Sequence, residues 1–172
     1  MKDQNLAEEY IITALLELMS IKPYDKISIT DIAKRAGVVR ITYYRHFDTK
    51  EDILIKYFEN SKKNFESFIT FLPKNEDEHY ELLFRAFSSF KENKELFKML
   101  SKAKLEYLYL EFLNSNFENL YKALKTKVYD GYFIAGALYN VSMQWLKNDC
   151  QGSVKSITDS VFSNIPYFKE KI

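Results

Sequence analysis

Apolar residues recur at intervals of three and four along most of the chain, a spacing that places side chains on one face of a helix. The same spacing predicts a linking helix over about 49–72, closed by Pro73, and other helices over 5–20, 31–36, 39–47, 78–91, 93–101, 103–122, 128–148 and 153–164. Alternation typical of strands persists nowhere, and only 4 Gly and 3 Pro interrupt the chain. The pattern therefore predicts an all-α fold.

Two parts are expected. Residues 1–48 form a small unit of three helices, and residues 49–172 contain the linking helix and a C-terminal helical bundle. Thr30 is expected to cap the second helix, and Asp48 or Thr49 the linking helix, because short polar side chains satisfy free N–H groups at a helix start.

The segment AGVVRITYYRHF, residues 36–47, has the spacing of a helix-turn-helix. Ala33 is small enough for two helices to cross closely, and Gly37 tolerates the left-handed backbone of a tight turn. Tyr43 and Phe47 then anchor the following helix inward. Several agreeing positions make this pattern specific, although a purely structural helical corner is the alternative.

The outward face of that following helix carries side chains suited to DNA. At 100° per residue, Ile41, Thr42 and Arg45 point outward, Tyr44 and His46 lie on the flanks, and Arg40 stands at the helix start. Arginine can bond guanine, and the methyl groups of Ile and Thr can contact thymine. Tyr44, His46 and Lys50 can donate hydrogen bonds to phosphates.

Overall charge does not indicate a nucleic-acid partner, since the net charge is only +1. From Asp31 to Lys50, however, five basic and two acidic residues give a local excess of +3. The single cysteine, Cys150, cannot form an internal disulfide, and no apolar run approaches the roughly 20 residues of a membrane helix. The expected location is the cytoplasm, without membrane contact.

The stretch ISITDIAKRAGVVRITYYRHFDTKEDIL resembles the DNA-binding domain of the tetracycline-repressor (TetR) family of bacterial regulators. The resemblance covers about residues 8–58 and implies DNA contacts by Arg40, Thr42, Tyr44, His46 and Lys50. Two positions depart from the family pattern: Ile41 replaces a small residue, and Arg45 stands where an aromatic is common. Both changes are expected to alter base preference rather than to abolish DNA binding.

The resemblance further implies a homodimer that binds double-stranded operator DNA, most often as a repressor, and a pocket for a small-molecule effector. Residues expected at the dimer interface are Gly131, Ala135, Gly136, Ala137, Tyr139, Val154, Ile157, Val161 and Ile165. An apolar or aromatic effector would contact Phe87, Phe90, Phe97, Leu108, Phe112, Phe133 and Trp145, although these residues can equally form a core.

Other functions are less consistent with the residues. Catalytic motifs such as G-x-S-x-G, the P-loop or H-E-x-x-H are absent from the sequence, and no catalytic, metal or cofactor site is predicted. His79, within NEDEHYE, is expected to be solvent-exposed. A helical adaptor that binds only protein, or an activator with the same fold, remains an alternative to a repressor.

Overall fold

The computed structural model describes residues 2–66, 75–123 and 128–164. Within these ranges nine α-helices form and no strand occurs: α1 Lys2–Ile21, α2 Ile29–Ala36, α3 Arg40–His46, α4 Lys50–Glu66, α5 Glu76–Glu92, α6 Lys94–Lys102, α7 Tyr107–Ala123, α8 Val128–Lys147 and α9 Val154–Ser163. A 3-10 turn, Tyr24–Lys26, joins α1 to α2. The predicted all-α class is confirmed.

Two residues named in the sequence analysis, Pro73 and Ile165, lie outside the described residues. None of the described helices combines the length and apolarity needed to cross a membrane.

The chain forms two compact units. One contains Met1–Ser61 and Met99–Leu108, and the other contains Lys62–Lys98 and Tyr109–Ile172. The first unit extends past the predicted boundary at residues 48 and 49 because the first turns of α4 belong to its core: Ile53 and Leu54 are completely buried. A functional boundary at that point stays a prediction.

The core of the first unit forms where α1, α2 and α3 pack on one another. Ile11, Leu15 and Ile32 are completely buried there. Two ion pairs add to the α1–α2 contact, Arg35 with Glu17 and Lys22 with Asp31. The hydrogen bond that Asp31 accepts from Lys22 is the main reason that the pKa of its carboxyl lies well below the ordinary value. The hydrogen bond from Ser28 is the next largest cause.

Helix α2 begins two residues earlier than predicted. Ser28, not Thr30, is the N-cap: its hydroxyl accepts a hydrogen bond from the Asp31 amide, while the Asp31 carboxylate accepts one from the Ser28 amide. This reciprocal capping box satisfies two N–H groups that the helix leaves free. At the start of α4, Thr49 makes the equivalent bond to the Asp52 amide at 3.1 Å.

The core of the second unit is built from α5, α7 and α8, with α9 packed on α5. Phe87, Leu113 and Ala135 are completely buried. Tyr80 of α5 donates a hydrogen bond to Asp159 of α9, and its ring meets Phe162 edge-on at 5.5 Å. These contacts hold α9 against α5.

His79 is buried, which corrects the expectation that it is exposed. It shares the inward face of α5 with Leu83, Phe87 and Phe90. Its Nδ1 donates to the carbonyl oxygen of Asn75 at 2.9 Å. Burial lowers the pKa of the His79 imidazole below its ordinary value, because the charged form loses hydration.

Candidate DNA-binding site

The turn between α2 and α3 is shaped by Gly37. Its φ of 70° and ψ of 24° lie in the left-handed region, and its amide donates to the carbonyl oxygens of Ala33 and Lys34. The Val38 amide also donates to Ala33 at 3.0 Å. These bonds end α2 and redirect the chain, so that α3 can begin after only three residues.

Tyr43 and Phe47 anchor α3 to the core of its unit. Tyr43 is completely buried, and its ring centroid lies 6.2 Å from that of Phe47. Burial raises the pKa of the Tyr43 hydroxyl to about 12. With these two rings fixed inward, the opposite arc of α3 faces solvent.

That exposed arc contains Arg40, Ile41, Tyr44 and Arg45. Tyr44 therefore lies within the arc and not on its flank, whereas Thr42 is half-buried and shares the edge with His46. The helical wheel already took Tyr43 and Phe47 as the inward side, but it gives only the direction of each side chain and not its exposure. The structure adds that the long Tyr44 side chain is 48% exposed while the shorter Thr42 is half-buried.

Arg40 and Tyr44 contact each other one helical turn apart. The Arg40 guanidinium donates to the Tyr44 hydroxyl at 3.3 Å, and its central carbon lies 5.9 Å from the ring centroid. An arginine held in this way has fewer rotamers to lose when it meets a base edge or phosphate.

Lys50, predicted to contact a phosphate, bonds the protein itself. Its ammonium donates to the carbonyl oxygens of Tyr24 at 2.8 Å and Ile27 at 2.9 Å, and lies 4.1 Å from the Tyr24 ring centroid. These contacts tie the start of α4 to the connection between α1 and α2. A phosphate contact by Lys50 stays a prediction and would have to compete with them.

Ion pairing also reduces the positive charge available near α3. Arg35 is paired with Glu17, whereas Lys34 and Arg45 are exposed. Arg40 and Arg45 are therefore the two cations that α3 itself presents to solvent.

Val39 is an exposed residue that the sequence interpretation did not include. It is the N-cap of α3, is 65% exposed, and makes no side-chain capping bond. The sequence did contain an indication that Val39 is unusual, because a valine occupies a helix-start position where Ser, Thr, Asp or Asn is favoured.

The predicted effector residues are mostly packed against one another or their neighbours. Phe90 stacks on Phe97 at 4.2 Å, and Phe87 meets Trp145 edge-on at 6.2 Å. Phe87, Phe90, Phe97, Leu108 and Trp145 are buried, and Phe112 is half-buried. Phe133 is the exception, since it is 60% exposed on the surface of α8. This exposure separates Phe133 from the other residues of the predicted pocket, which itself stays a prediction.

A cavity of about 700 Å³ lies in the first unit, beside the end of α1, the 3-10 turn and the end of α6. Its lining combines apolar Met19, Ile21 and Met99 with Lys102 and Lys104. None of the seven predicted effector residues lines it.

The predicted dimer residues of α8 differ in their exposure. Gly131 and Ala135 are buried in their own unit, which corrects their placement at an exposed interface. Gly136, Ala137 and Tyr139 are half-exposed, as are Val154, Ile157 and Val161 of α9. The outward face of α8 instead carries Tyr129, 85% exposed, and Phe133, with Tyr132 beside them.

The geometry of α2, the Gly37 turn and α3 defines a helix-turn-helix protein. The family described as bacterial regulatory proteins, tetR family, matches residues 11–57, which contain this motif. The match covers well under half of the chain, so the similarity to the TetR family concerns this N-terminal region.

Two curated relatives are similar over the same region. One is the biofilm operon icaADBC HTH-type negative transcriptional regulator IcaR of Staphylococcus epidermidis, 36% identical over 75 residues, or 44% of this chain and 39% of the relative. The other is the HTH-type dhaKLM operon transcriptional activator DhaS of Lactococcus lactis, 35% identical over 60 residues, or 35% of this chain and 32% of the relative. The matches thus span well under half of each relative.

A solved structure extends the likeness to the whole fold. The transcriptional regulator FadR from Bacillus subtilis, in complex with stearoyl-CoA, superposes with a TM-score of 0.59 over 90% of this chain and 95% of that chain. Its sequence identity is 22%, so the likeness concerns the fold alone.

Proposed function

We propose that the protein is a homodimeric transcriptional regulator that binds a two-fold symmetric operator through α3 of each protomer. The observation that carries this proposal is the exposed arc of Arg40, Ile41, Tyr44 and Arg45 on a helix anchored by Tyr43 and Phe47. Such a surface offers two guanidinium groups, a hydroxyl and an apolar side chain to one groove. A regulator of this kind must reach the chromosome, so the cytoplasm is the location that we propose.

The outward face of α8 supports the homodimer. Tyr129, Tyr132 and Phe133 expose aromatic surface next to Gly136, where a second helix could approach closely. Exposed apolar groups that cluster on one face are typical of protein interfaces. A dimer would present two copies of α3 to successive major grooves, about 34 Å apart.

Repression is the default sign of regulation within this proposal. Binding at a promoter blocks access by polymerase without requiring any further contact. The relatives include a named negative regulator and a named activator, so the sign is tested directly by transcription from a promoter that carries the operator.

A small apolar or aromatic effector is the proposed signal. Phe90, Phe97 and Tyr109 form a buried aromatic cluster. Such a ligand would bind by separating these rings or by packing against them. The FadR structure contains stearoyl-CoA, which makes a long-chain acyl-CoA a reasonable first probe. A coupling of about 1–3 kcal/mol would change operator affinity about 5- to 150-fold.

The test is selection of bound fragments from random duplex DNA at two salt concentrations, with purified full-length protein. The expected product is a symmetric site whose half-sites are one helical turn or so apart. It is bound more weakly at the higher salt, because releasing condensed cations from the DNA gains less free energy when the surrounding salt is more concentrated. A folded protein that enriches no fragment at low salt would contradict DNA binding and favour the helical adaptor. An enriched site without symmetry would contradict the dimer alone.

A further inference from the structure

Two exposed aliphatic side chains lie at the start of α3, the helix that we propose to contact DNA. Val39 is 65% exposed and Ile41 is 62% exposed, on either side of Arg40 in the sequence. By contrast, Ile32 of α2 and Tyr43 of α3 are completely buried, and Ile29 is half-buried. Folding therefore does not account for the aliphatic character of positions 39 and 41.

The local structure gives Val39 no stabilising role at its position. It is the N-cap of α3, where valine is among the least favourable residues, and its side chain makes no capping bond. This chain caps other helices with polar side chains: Ser28 on α2, Asn75 on α5 and Ser153 on α9. A residue that is unfavourable both as a cap and as an exposed side chain indicates selection for a contact.

We propose that Val39 and Ile41 form an aliphatic pair that recognises thymine methyl groups in the operator. This inference rests on the proposed function and names the base that the surface selects. The C5-methyl of thymine is the apolar group that base edges present in the major groove. Val39 and Ile41 are short and β-branched, so each is restricted at χ1 and keeps its methyl groups close to the α3 backbone.

Arg40 sets where these thymines occur. Its guanidinium can bond guanine O6 and N7, and it lies between Val39 and Ile41 in the sequence. Each half-site is therefore expected to contain a guanine with thymine within one or two base pairs. The thymine contacts require no charge, so they do not contribute to the salt dependence of binding.

The experiment replaces thymine by deoxyuridine, which lacks only the methyl group, at each position of the selected operator in turn. Loss of one buried methyl is expected to weaken binding about four-fold at one or two thymines per half-site. The same substitutions are then measured with Val39→Ser and Ile41→Ala, each of which is expected to abolish the methyl effect at its own thymine and leave the other unchanged.

Val39→Thr is the matched control. Threonine has nearly the shape of valine, keeps one methyl and adds a hydroxyl that can cap α3. It is expected to retain part of the deoxyuridine effect, while Val39→Thr and Val39→Ser both raise the thermal midpoint, by about 2–4 °C for each kcal/mol of capping.

Three results would overturn the inference while leaving operator binding intact. The selected half-site would contain no thymine near guanine, or deoxyuridine would leave affinity unchanged at every position. Alternatively, the methyl effect would persist undiminished in both Val39→Ser and Ile41→Ala. Failure to enrich any operator is a separate result, because it contradicts the proposed function itself.

Discussion

The ammonium group of Lys50 makes contacts within the protein that any phosphate would have to replace. Lys50→Ala removes two charge-assisted hydrogen bonds, to Tyr24 and Ile27, and the contact with the Tyr24 ring. We expect a loss of about 1–3 kcal/mol in the free energy of unfolding. This corresponds to a thermal midpoint lower by about 2–4 °C for each kcal/mol, measured by calorimetry or circular dichroism.

Lys34→Ala is the control, because Lys34 is exposed on α2 of the same unit. It is expected to leave the midpoint unchanged. The salt dependence of operator binding separates the two roles of Lys50, since loss of one phosphate contact lowers the slope by about one. An unchanged midpoint with a reduced slope would assign Lys50 to DNA and contradict the internal role.

The buried His79 is expected to make the protein less stable in mild acid. Burial lowers its pKa below the ordinary 6.5, so the unfolded chain binds a proton at a pH where the folded chain does not. Above about pH 6.5 His79 is neutral in both states and does not destabilise the fold. Below that pH the unfolded chain takes up a proton first, so the free energy of unfolding falls as the pH drops. Denaturant unfolding at pH 7.5, 6.5 and 5.5 measures the effect.

The variant His79→Asn isolates the contribution of His79 to the pH dependence of stability. Asparagine at other helical positions of this chain, such as Asn116 and Asn140, already donates to the carbonyl oxygen four residues earlier, as His79 does. The variant is expected to lose stability at neutral pH and to show a flatter profile between pH 7.5 and 5.5. A profile identical in shape to that of the wild type would exclude His79 as the source.

At the scale of elements, Gly37 controls how α3 follows α2. An added Cβ at Gly37 meets no atom within 4 Å, so Gly37→Ala tests the left-handed backbone alone. We expect a cost of about 1–2 kcal/mol, visible as a lower thermal midpoint. Gly37→Asn should cost less, because asparagine tolerates this conformation. Equal stability of the alanine variant and wild type would mean that the turn relaxes without strain.

The α2–turn–α3 motif could be predicted because its determinants are local in sequence. Gly37 fixes the turn, and the spacing of Tyr43 and Phe47 fixes which side of α3 is inward. Helix α8 could not be oriented in the same way. It carries apolar residues around its whole circumference, so periodicity does not distinguish the buried Ala135 from the exposed Phe133. Only the tertiary packing of its unit decides between the two faces.

His79 and Lys50 illustrate two further limits. The polar neighbours of His79 indicated exposure, although its spacing from Leu83 and Phe87 already placed it on the apolar stripe of α5. The spacing therefore indicated burial, but the polar neighbours were given more weight. The partners of Lys50, in contrast, are backbone carbonyls more than twenty residues away, and no sequence pattern marks them.

At the scale of the whole molecule, Gly136 tests whether α8 joins two protomers. A Cβ at Gly136 meets no atom within 4 Å in the protomer, and leucine favours a helix more than glycine does. Gly136→Leu should therefore leave folding intact or slightly improve it, while its side chain prevents close approach of a second α8. Light scattering is expected to show a monomer at concentrations where the wild type is a dimer.

Operator binding should change with the oligomeric state. A monomer engages one half-site at a time, so affinity for the full operator is expected to fall by about 10²–10⁴ toward that for an isolated half-site, which itself stays unchanged. Gly136→Ala, with a much smaller side chain, should retain most of the dimer. If Gly136→Leu remained dimeric with unaltered operator affinity, the interface would not include this face of α8, and the exposed rings of Tyr129 and Phe133 would need a different partner.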